Sequence, residues 1–146
     1  IGSDRICNTV ASFQLYKTPC IVVDTGTATK YDVINKLGEF IGGSIAPGIE
    51  TSAYYLFKKA ALLKNTSLKF PKNSIGKNTD TNIQSGIMFG AVDSIDGMLY
   101  RIKRETSWKN ITVILTGGFS SIISPYLKHK HILNTQLTLD GLKIIL

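Results

Sequence analysis

Apolar residues along the chain fall into short runs and helical stripes, separated by turns rich in small and polar residues. The run Ile21-Val22-Val23 is dominated by β-branched residues and predicts a buried strand. Residues 29–35 alternate loosely, and residues 39–45 form a third short run with a Gly-Gly irregularity typical of a bulge. Because only short turns separate these runs, we expect an antiparallel meander of three strands.

Segments whose apolar residues have helical spacing lie both before and after the predicted meander. Residues 1–12 and 49–64 carry apolar residues at intervals of three or four, which predicts two amphipathic helices. The most regular stripe covers residues 81–105, although glycines interrupt it. Gly86 and Gly90 lie four residues apart and therefore share a helix face, which would allow another backbone to approach closely.

A strand, a glycine turn and a helix then follow one another. Residues 111–115 predict a buried strand, and Gly117 and Gly118 come directly after it. Residues 119–127 and 138–146 predict two further helices. Proteins with α/β folds present phosphate or nucleoside sites in this way, although a Gly-Gly pair alone is a weak signal. The whole pattern predicts a mixed sheet with packed helices.

Asp24 ends the first predicted strand and leads into the turn Thr25-Gly26-Thr27. Ligands of open α/β sheets bind just beyond the carboxyl ends of strands. Glycine lets a backbone approach an anion, and successive N–H groups in a turn can bind one. An ordinary hairpin turn explains the same residues, so these residues alone leave both interpretations open.

Three other places carry candidate chemistry next to a structural explanation. Asp4 stands near the start of the first predicted helix, where this segment alone favours a helix cap over the alternative of a general base. Thr79 belongs to the polar segment 65–81, whose length favours a binding role, but Thr79 or Asp80 can also cap the next helix. His129 and His131 allow a metal pair, yet we favour a solvated loop because no third ligand is near in sequence.

Composition changes this picture little. The 146 residues are 43% hydrophobic and suffice for one domain with a core. The net charge of +7 is spread over scattered lysines, which predicts a solvated basic surface. Cys7 and Cys20 lack metal-ligand spacing and fit a reducing compartment. No signal-peptide pattern and no membrane-spanning apolar run is present, and the absence of an initial methionine leads us to expect a fragment.

Five segments in order resemble the motifs of the type III pantothenate kinases: Gly-Ser-Asp-Arg, Val-Asp-Thr-Gly-Thr-Ala-Thr, Gly-Gly-Ser-Ile-Ala-Pro-Gly, Ile-Gly-Lys-Asn-Thr and Leu-Thr-Gly-Gly. The resemblance covers residues 1–146. It implies one C-terminal ribonuclease-H-like lobe of the actin-like ATPase superfamily, with a few N-terminal residues from the inter-lobe region. It also implies a cytoplasmic enzyme that phosphorylates pantothenate with ATP, the first step of coenzyme A biosynthesis.

The resemblance implies a pantothenate site as well. The family's Gly-x-Asp-Arg motif binds pantothenate, and it falls on Gly2, Ser3, Asp4 and Arg5. The aspartate of this motif is the proton acceptor, which is Asp4 here. The family's threonine in Gly-Lys-Asn-Thr also contacts pantothenate, often from the neighbouring subunit of a homodimer, and it corresponds to Thr79.

Nucleotide and ion contacts follow from the same resemblance. The family's aspartate at Asp24 binds a monovalent cation, potassium or ammonium, and magnesium enters with ATP. Thr27 corresponds to a threonine that contacts the ATP phosphates, while Gly117 and Gly118 match the motif near the adenosine. Lys30 is a departure, because threonine is common in the family at that position.

The family's first half, with its Asp-x-Gly-Asn-Thr phosphate loop, has no counterpart in this sequence. ATP needs both lobes, so the fragment alone is expected to be inactive. The alternative is a non-catalytic regulatory or nucleic-acid-associated relative of the same fold. The presence of Asp4, Asp24 and Thr27 favours the enzyme. We expect neither a membrane nor a nucleic acid as partner.

Overall fold

The computed structural model describes residues 2–60 and 66–146. Six helices and five strands are described in these two ranges. In chain order they are α1 (Ser3–Leu15), β1 (Cys20–Thr25), β2 (Ala28–Ile34), β3 (Phe40–Pro47), α2 (Ile49–Lys59), α3 (Thr79–Gln84), α4 (Gly90–Thr106), β4 (Thr112–Thr116), α5 (Ser120–Ile123), β5 (Ile132–Leu133) and α6 (Leu137–Ile145).

The strands form one five-stranded mixed sheet in the order β3-β2-β1-β4-β5. Strands β1, β2 and β3 are antiparallel neighbours, whereas β4 runs parallel to β1 and β5 runs parallel to β4. The expected fold class, a mixed α/β sheet with a three-strand meander, is therefore confirmed. In this register Asp24 is paired with Lys30 on one side and with Thr116 on the other.

One face of the sheet is covered by α2 and α4 and is mainly apolar, with the uncharged Thr25 and Thr29 buried at one end. The residues buried there belong to alternate positions of the strands and to the helices: Ile21, Val23, Tyr31, Ile49, Met88, Val92, Ile95, Leu99, Val113, Leu115 and Ile123. Each fully buried aliphatic side chain of this kind stabilises the fold by about 1.5–3 kcal/mol. This cluster is the larger of the two cores.

The other face is covered by α1 and α6, and it is apolar over only part of its length. The smaller core on this face contains Ala11, Cys20, Val22, Ile34, Ile114 and Leu137. The helices cross closely, because a Cβ at Gly141 would lie 1.9 Å from the carbonyl oxygen of Cys7. Only glycine fits this crossing, so α6 fixes the position of α1 and of its N-terminal residues.

The long helix predicted over residues 81–105 has an internal change of geometry. Residues Ser85–Phe89 form a π-helical turn between α3 and α4. Among the described residues, no atom lies within 4 Å of a Cβ built at Gly86 or Gly90, so no other backbone approaches them closely. The two glycines instead line a cleft of about 380 Å³ beside Pro47 and Ser52.

Helix boundaries differ from the sequence-based predictions in three places. The helix predicted over residues 49–64 ends at Lys59, and residues 61–65 lie outside the described ranges. Asn78 caps α3 through a capping box with Thr81, so the expected cap at Thr79 is wrong. The helix predicted over residues 119–127 ends in a 3₁₀ turn, and β5 was not predicted.

Within the described ranges no helix is both long and apolar enough to span a membrane.

Candidate active site

The carboxyl ends of the parallel neighbours β1 and β4 meet where the apolar pattern stops. Asp24 lies on β1 directly opposite Thr116 of β4, and Gly117 follows in the left-handed region at φ 102°. A Cβ at Gly117 would lie 2.5 Å from the backbone nitrogen of Thr25 and 2.7 Å from Asp24 Oδ1. Glycine is therefore required here twice, by conformation and by the close approach of β1.

Asp4 enters this region from the first turn of α1. The N-cap of the helix is Gly2, so Asp4 does not occupy the cap position. Its carboxylate is half-exposed and accepts a hydrogen bond from Lys30 Nζ at 2.8 Å. This hydrogen bond and the positive charge of Lys30 hold the pKa of the Asp4 carboxyl below its usual range, against a smaller opposing effect of burial. Asp4 is thus ionised at neutral pH.

Arg5 points from α1 toward β2 and β3 and is held from several sides. Its Nε donates to Asp32 Oδ1 at 2.6 Å, and a terminal nitrogen contacts the same oxygen. The guanidinium stacks on Phe40, 5.0 Å from the ring centroid, and lies against Gly43. Asp32 is buried, and its second carboxylate oxygen, Oδ2, has no hydrogen-bond partner among the described residues. The guanidinium is consequently fixed in one orientation.

Burial dominates the electrostatics of Asp24. It raises the pKa of the Asp24 carboxyl, while the charge of Lys30 and a hydrogen bond from Asn8 oppose the rise. Asn8 Nδ2 donates to Asp24 Oδ2 at 3.4 Å, and Asn8 Oδ1 accepts from Thr138 at 2.7 Å. Helix α6 thereby orients the amide that faces the carboxylate.

This environment does not suit the monovalent cation expected at Asp24. Hard cations select carboxylate, carbonyl and water oxygens. The side-chain groups that act on the Asp24 carboxylate here are the amide N–H donor of Asn8, the ammonium of Lys30 and the Asp4 carboxylate, which itself accepts a hydrogen bond from Lys30. Within residues 2–60 and 66–146, no three His, Cys, Asp or Glu side chains are grouped to hold a metal ion. The nitrogen donors beside Asp24 therefore do not match a monovalent cation.

The remaining predicted residues lie at two separate places. Ser3 begins α1, and Thr27 and Gly118 are exposed in the turns that follow β1 and β4, on the same edge of the sheet as Asp24. The carbonyl oxygen of Thr27 accepts hydrogen bonds from Gly48 and Thr51, which leaves the turn well supported. The motifs thus bring Asp4, Asp24 and both glycine turns together.

Thr79 is not part of that group. It begins α3, which packs with α2 and α4 over the opposite face of the sheet from α1. There it lines a groove of about 370 Å³ with Leu56, Asn82, Ile83, Gly86 and Ile87. Gly86 and Ile87 also line the neighbouring cleft beside Pro47, so the two depressions adjoin along the π-helical turn.

The histidine pair has a structural role. Asp96 of α4 accepts hydrogen bonds from the backbone N–H groups of Lys128 and His129, and His129 Nδ1 lies 2.9 Å from Asp96 Oδ1. His131 contacts the backbone oxygen of His129 and the hydroxyl of Ser124. Burial raises the pKa of the Asp96 carboxyl, but these hydrogen bonds outweigh it and hold the pKa low. The solvated-loop interpretation underestimated these contacts.

Comparison with known proteins gives the family. The model of the type III pantothenate kinases matches residues 1–101. The chain belongs to the type III pantothenate kinase family. Curated type III pantothenate kinases from Citrifermentans bemidjiense and Koribacter versatilis are 45% and 44% identical over 145 residues, which is 99% of this chain. The chain spans 57% and 53% of their lengths, so it corresponds to about half of a family member.

A solved structure supports the fold. A Campylobacter jejuni protein assigned to the Baf family of transcriptional activators superposes with a TM-score of 0.68 at 24% sequence identity. The superposition covers 99% of this chain and 63% of the other. At this level of identity the likeness concerns the fold alone. It agrees with the mixed sheet and packed helices described above.

Sequence reasoning missed two contributors to the site, Asn8 and Asp32, and treated Lys30 only as a departure from the family. Asn8 lies one helical turn after Asp4, on the same helix face, which was a usable signal. Lys30 and Asp32 alternate along β2 and therefore share a face with Asp24. A charged pair inside an otherwise apolar strand was the second available signal.

Proposed function

We propose that this chain forms the lobe of a type III pantothenate kinase that supplies the base and part of the phosphate site for ATP-dependent phosphorylation of pantothenate. The product would be 4'-phosphopantothenate, in the first step of coenzyme A biosynthesis. Membership of the family supports the reaction. The observation that carries the assignment of this site is the convergence of Asp4, Asp24 and Gly117 at the carboxyl ends of β1 and β4.

In this proposal Asp4 accepts the proton of the pantothenate hydroxyl as the phosphoryl group is transferred. Phosphoryl transfer needs mainly positioning and charge stabilisation from the protein. The low pKa of the Asp4 carboxyl keeps it ionised, and its half-exposed position leaves room for a substrate hydroxyl. Arg5, oriented by Asp32, is placed to hold an anionic or polar group of pantothenate. Gly2 and Ser3 present the helix N-terminus beside it.

The nucleotide contacts are proposed along the same sheet edge. Thr27 would donate to ATP phosphates from the turn after β1, and Gly117 and Gly118 would lie near the adenosine after β4. Glycine turns of this kind let the backbone approach an anion closely. Magnesium would enter as part of the MgATP substrate and would neutralise the charge that develops on the phosphates.

The position of Thr79 supports a homodimer in which sites are shared. Within one chain Thr79 lies on the opposite face of the sheet from α1, so a Thr79 contact with pantothenate at Asp4 would come from a second subunit. Helix α2 beside it exposes Tyr54 and Tyr55 by 60% and 54%. Exposed apolar patches often mark protein–protein contacts. We therefore propose that this face meets the partner subunit.

The activity is tested with the complete natural protein that carries this sequence. Purified protein is given MgATP, and ADP release is followed with and without pantothenate. Pantothenate-dependent release supports the kinase. Its absence, together with DNA binding that weakens steeply with salt, would instead support the nucleic-acid-associated relative.

Subunit complementation tests the shared site. Asp4→Asn and Thr79→Val variants are each expected to have little activity. Mixing the unfolded chains and refolding them produces mixed dimers that contain one intact site, because one chain supplies Asp4 and the other supplies Thr79. Recovery of activity on mixing supports the proposal. Two variants that stay inactive together, although both form dimers, would show that Thr79 does not act across the interface.

A further inference from the structure

Lys30 occupies a central place among the charged groups of the site. Its position on β2 is directly opposite Asp24 on β1, and it lies two residues before Asp32 on the same strand face. Its ammonium is 2.8 Å from Asp4 Oδ2, and its side chain is 20% exposed. One lysine therefore stands among three carboxylates, of which Arg5 contacts only Asp32.

We propose that the ammonium of Lys30 is the built-in monovalent cation of this site, so that the enzyme does not require added potassium. The inference rests on the proposed kinase function. It replaces the expected potassium ion at Asp24 with a charge that the chain itself carries.

The chemistry of the neighbouring groups supports this assignment. An ammonium carries the same charge as potassium and donates hydrogen bonds to carboxylates. The contacts of Asp24 and Asp4 come from nitrogen donors, Asn8 Nδ2 and Lys30 Nζ, where a potassium site would gather oxygens. The Lys30 charge helps to lower the pKa of Asp4, and it opposes the burial that raises the pKa of Asp24 and of Asp32.

The strand geometry explains how a side chain can take this role. The backbone of Lys30 is fixed in the antiparallel pair with Asp24, so its Cα cannot leave the site without breaking the register of β1 and β2. A charge held in place needs no capture from solvent and no reorganisation when MgATP arrives. Threonine at this position would supply a hydroxyl and no charge.

The test uses the complete natural protein and measures pantothenate-dependent ADP release with and without potassium. Tetramethylammonium chloride, whose ion is too large for the site, keeps the ionic strength constant. The variants are Lys30→Thr and Lys30→Arg. Lys36→Thr, in the exposed turn after β2, removes the same charge away from the site and is the matched control.

We expect the wild type and Lys36→Thr to turn over equally fast with and without potassium. Without potassium, Lys30→Thr should lose activity by about 10²-fold, the usual order for removing one preorganised electrostatic group, and potassium should restore part of it. Lys30→Arg keeps a cation and should retain most of the activity without potassium. A wild type that potassium activates, or a Lys30→Thr variant that is fully active without it, overturns the proposal. So does a Lys30→Arg variant that falls as far as Lys30→Thr.

A binding measurement gives a readout that does not depend on turnover. Potassium should leave the melting temperature of the wild type unchanged relative to tetramethylammonium and raise that of Lys30→Thr. A wild type stabilised by potassium would contradict the built-in cation. If no protein releases ADP with pantothenate under any salt, the kinase proposal fails, whereas the melting temperatures still decide the role of Lys30.

Discussion

The face of the sheet under α4 and the face under α1 are built by alternate residues of the same strands, yet they differ where β1 and β4 end. Under α4 the strands bury mainly apolar side chains, including Ile21, Val23 and Leu115, and none of the described residues in this cluster is charged. Under α1 the apolar positions give way to Asp24 on β1 and to Lys30 and Asp32 on β2. The same backbone thus serves packing on one side and chemistry on the other.

The difference between the two faces shows where the fold accommodates charged side chains. Buried charge is costly unless it is paired or hydrogen-bonded. On the α1 side, Arg5 pairs with Asp32, Lys30 pairs with Asp4, and Asn8 donates to Asp24. Substitutions should therefore affect activity on the α1 side and stability on the α4 side, and the following variants test that division.

The largest effect is expected at Asp4 on the α1 side. Asp4→Asn removes the proposed proton acceptor and should lower turnover by roughly 10²- to 10⁴-fold. The melting temperature should change little, because Gly2 is the N-cap and the carboxylate is half-exposed. Asp93→Asn, an exposed aspartate in the first turn of α4, is the control and should leave turnover unchanged. A large loss of stability with normal turnover would assign Asp4 a structural role.

Leu99→Ala tests the α4 side. Leu99 is fully buried, so truncation should lower the free energy of unfolding by about 2–5 kcal/mol. The measurement is equilibrium unfolding in urea, with turnover expressed per folded molecule. Turnover should stay near that of the wild type. If it fell together with stability, the two faces would not be separable.

Two glycine substitutions test whether α6 positions α1. Gly141→Ala forces a Cβ against the Cys7 carbonyl and should cost about 1–3 kcal/mol while also disturbing Asp4. Gly97→Ala is matched to it, since no described atom lies within 4 Å of the new Cβ in α4. It should stabilise the protein by about 0.5–1 kcal/mol. Equal melting temperatures for both variants would contradict the close crossing of α1 and α6.

The smallest effect is expected at Asp96. Because the folded-state pKa of its carboxyl is lowered, its contribution is present above the ordinary pKa of aspartate and is lost as the pH falls toward the folded value. At neutral pH, Asp96→Asn should cost about 1 kcal/mol, because it weakens hydrogen bonds to Lys128 and His129. Unfolding curves at neutral and acidic pH should converge on acidification. A difference that grew in acid would contradict the direction of the shift.

Sequence patterns located most of the elements but few of their exact ends. The meander and the strand before Gly117 were predicted because β-branched runs and glycine turns are local signals. Strand β5 was not predicted, because a strand of two exposed residues shows no periodicity of apolar positions. The π-helical turn at Ser85–Phe89 was not predicted either, because it preserves the apolar stripe of the helix while it changes the spacing of the backbone hydrogen bonds.

The sequence alone determined the family, the alternation of the strands and the residues of the motifs, since each of these is written in short segments of the chain. Only the tertiary structure decided how the charges are paired. Arg5 meets Asp32 across 27 positions, and Lys30 meets Asp4 across 26. Such contacts depend on the register of β1 and β2 and on the place where α1 crosses them. The short turn between β1 and β2 fixes that register locally. No local pattern encodes where α1 crosses, because its place follows from packing against α6 and the sheet.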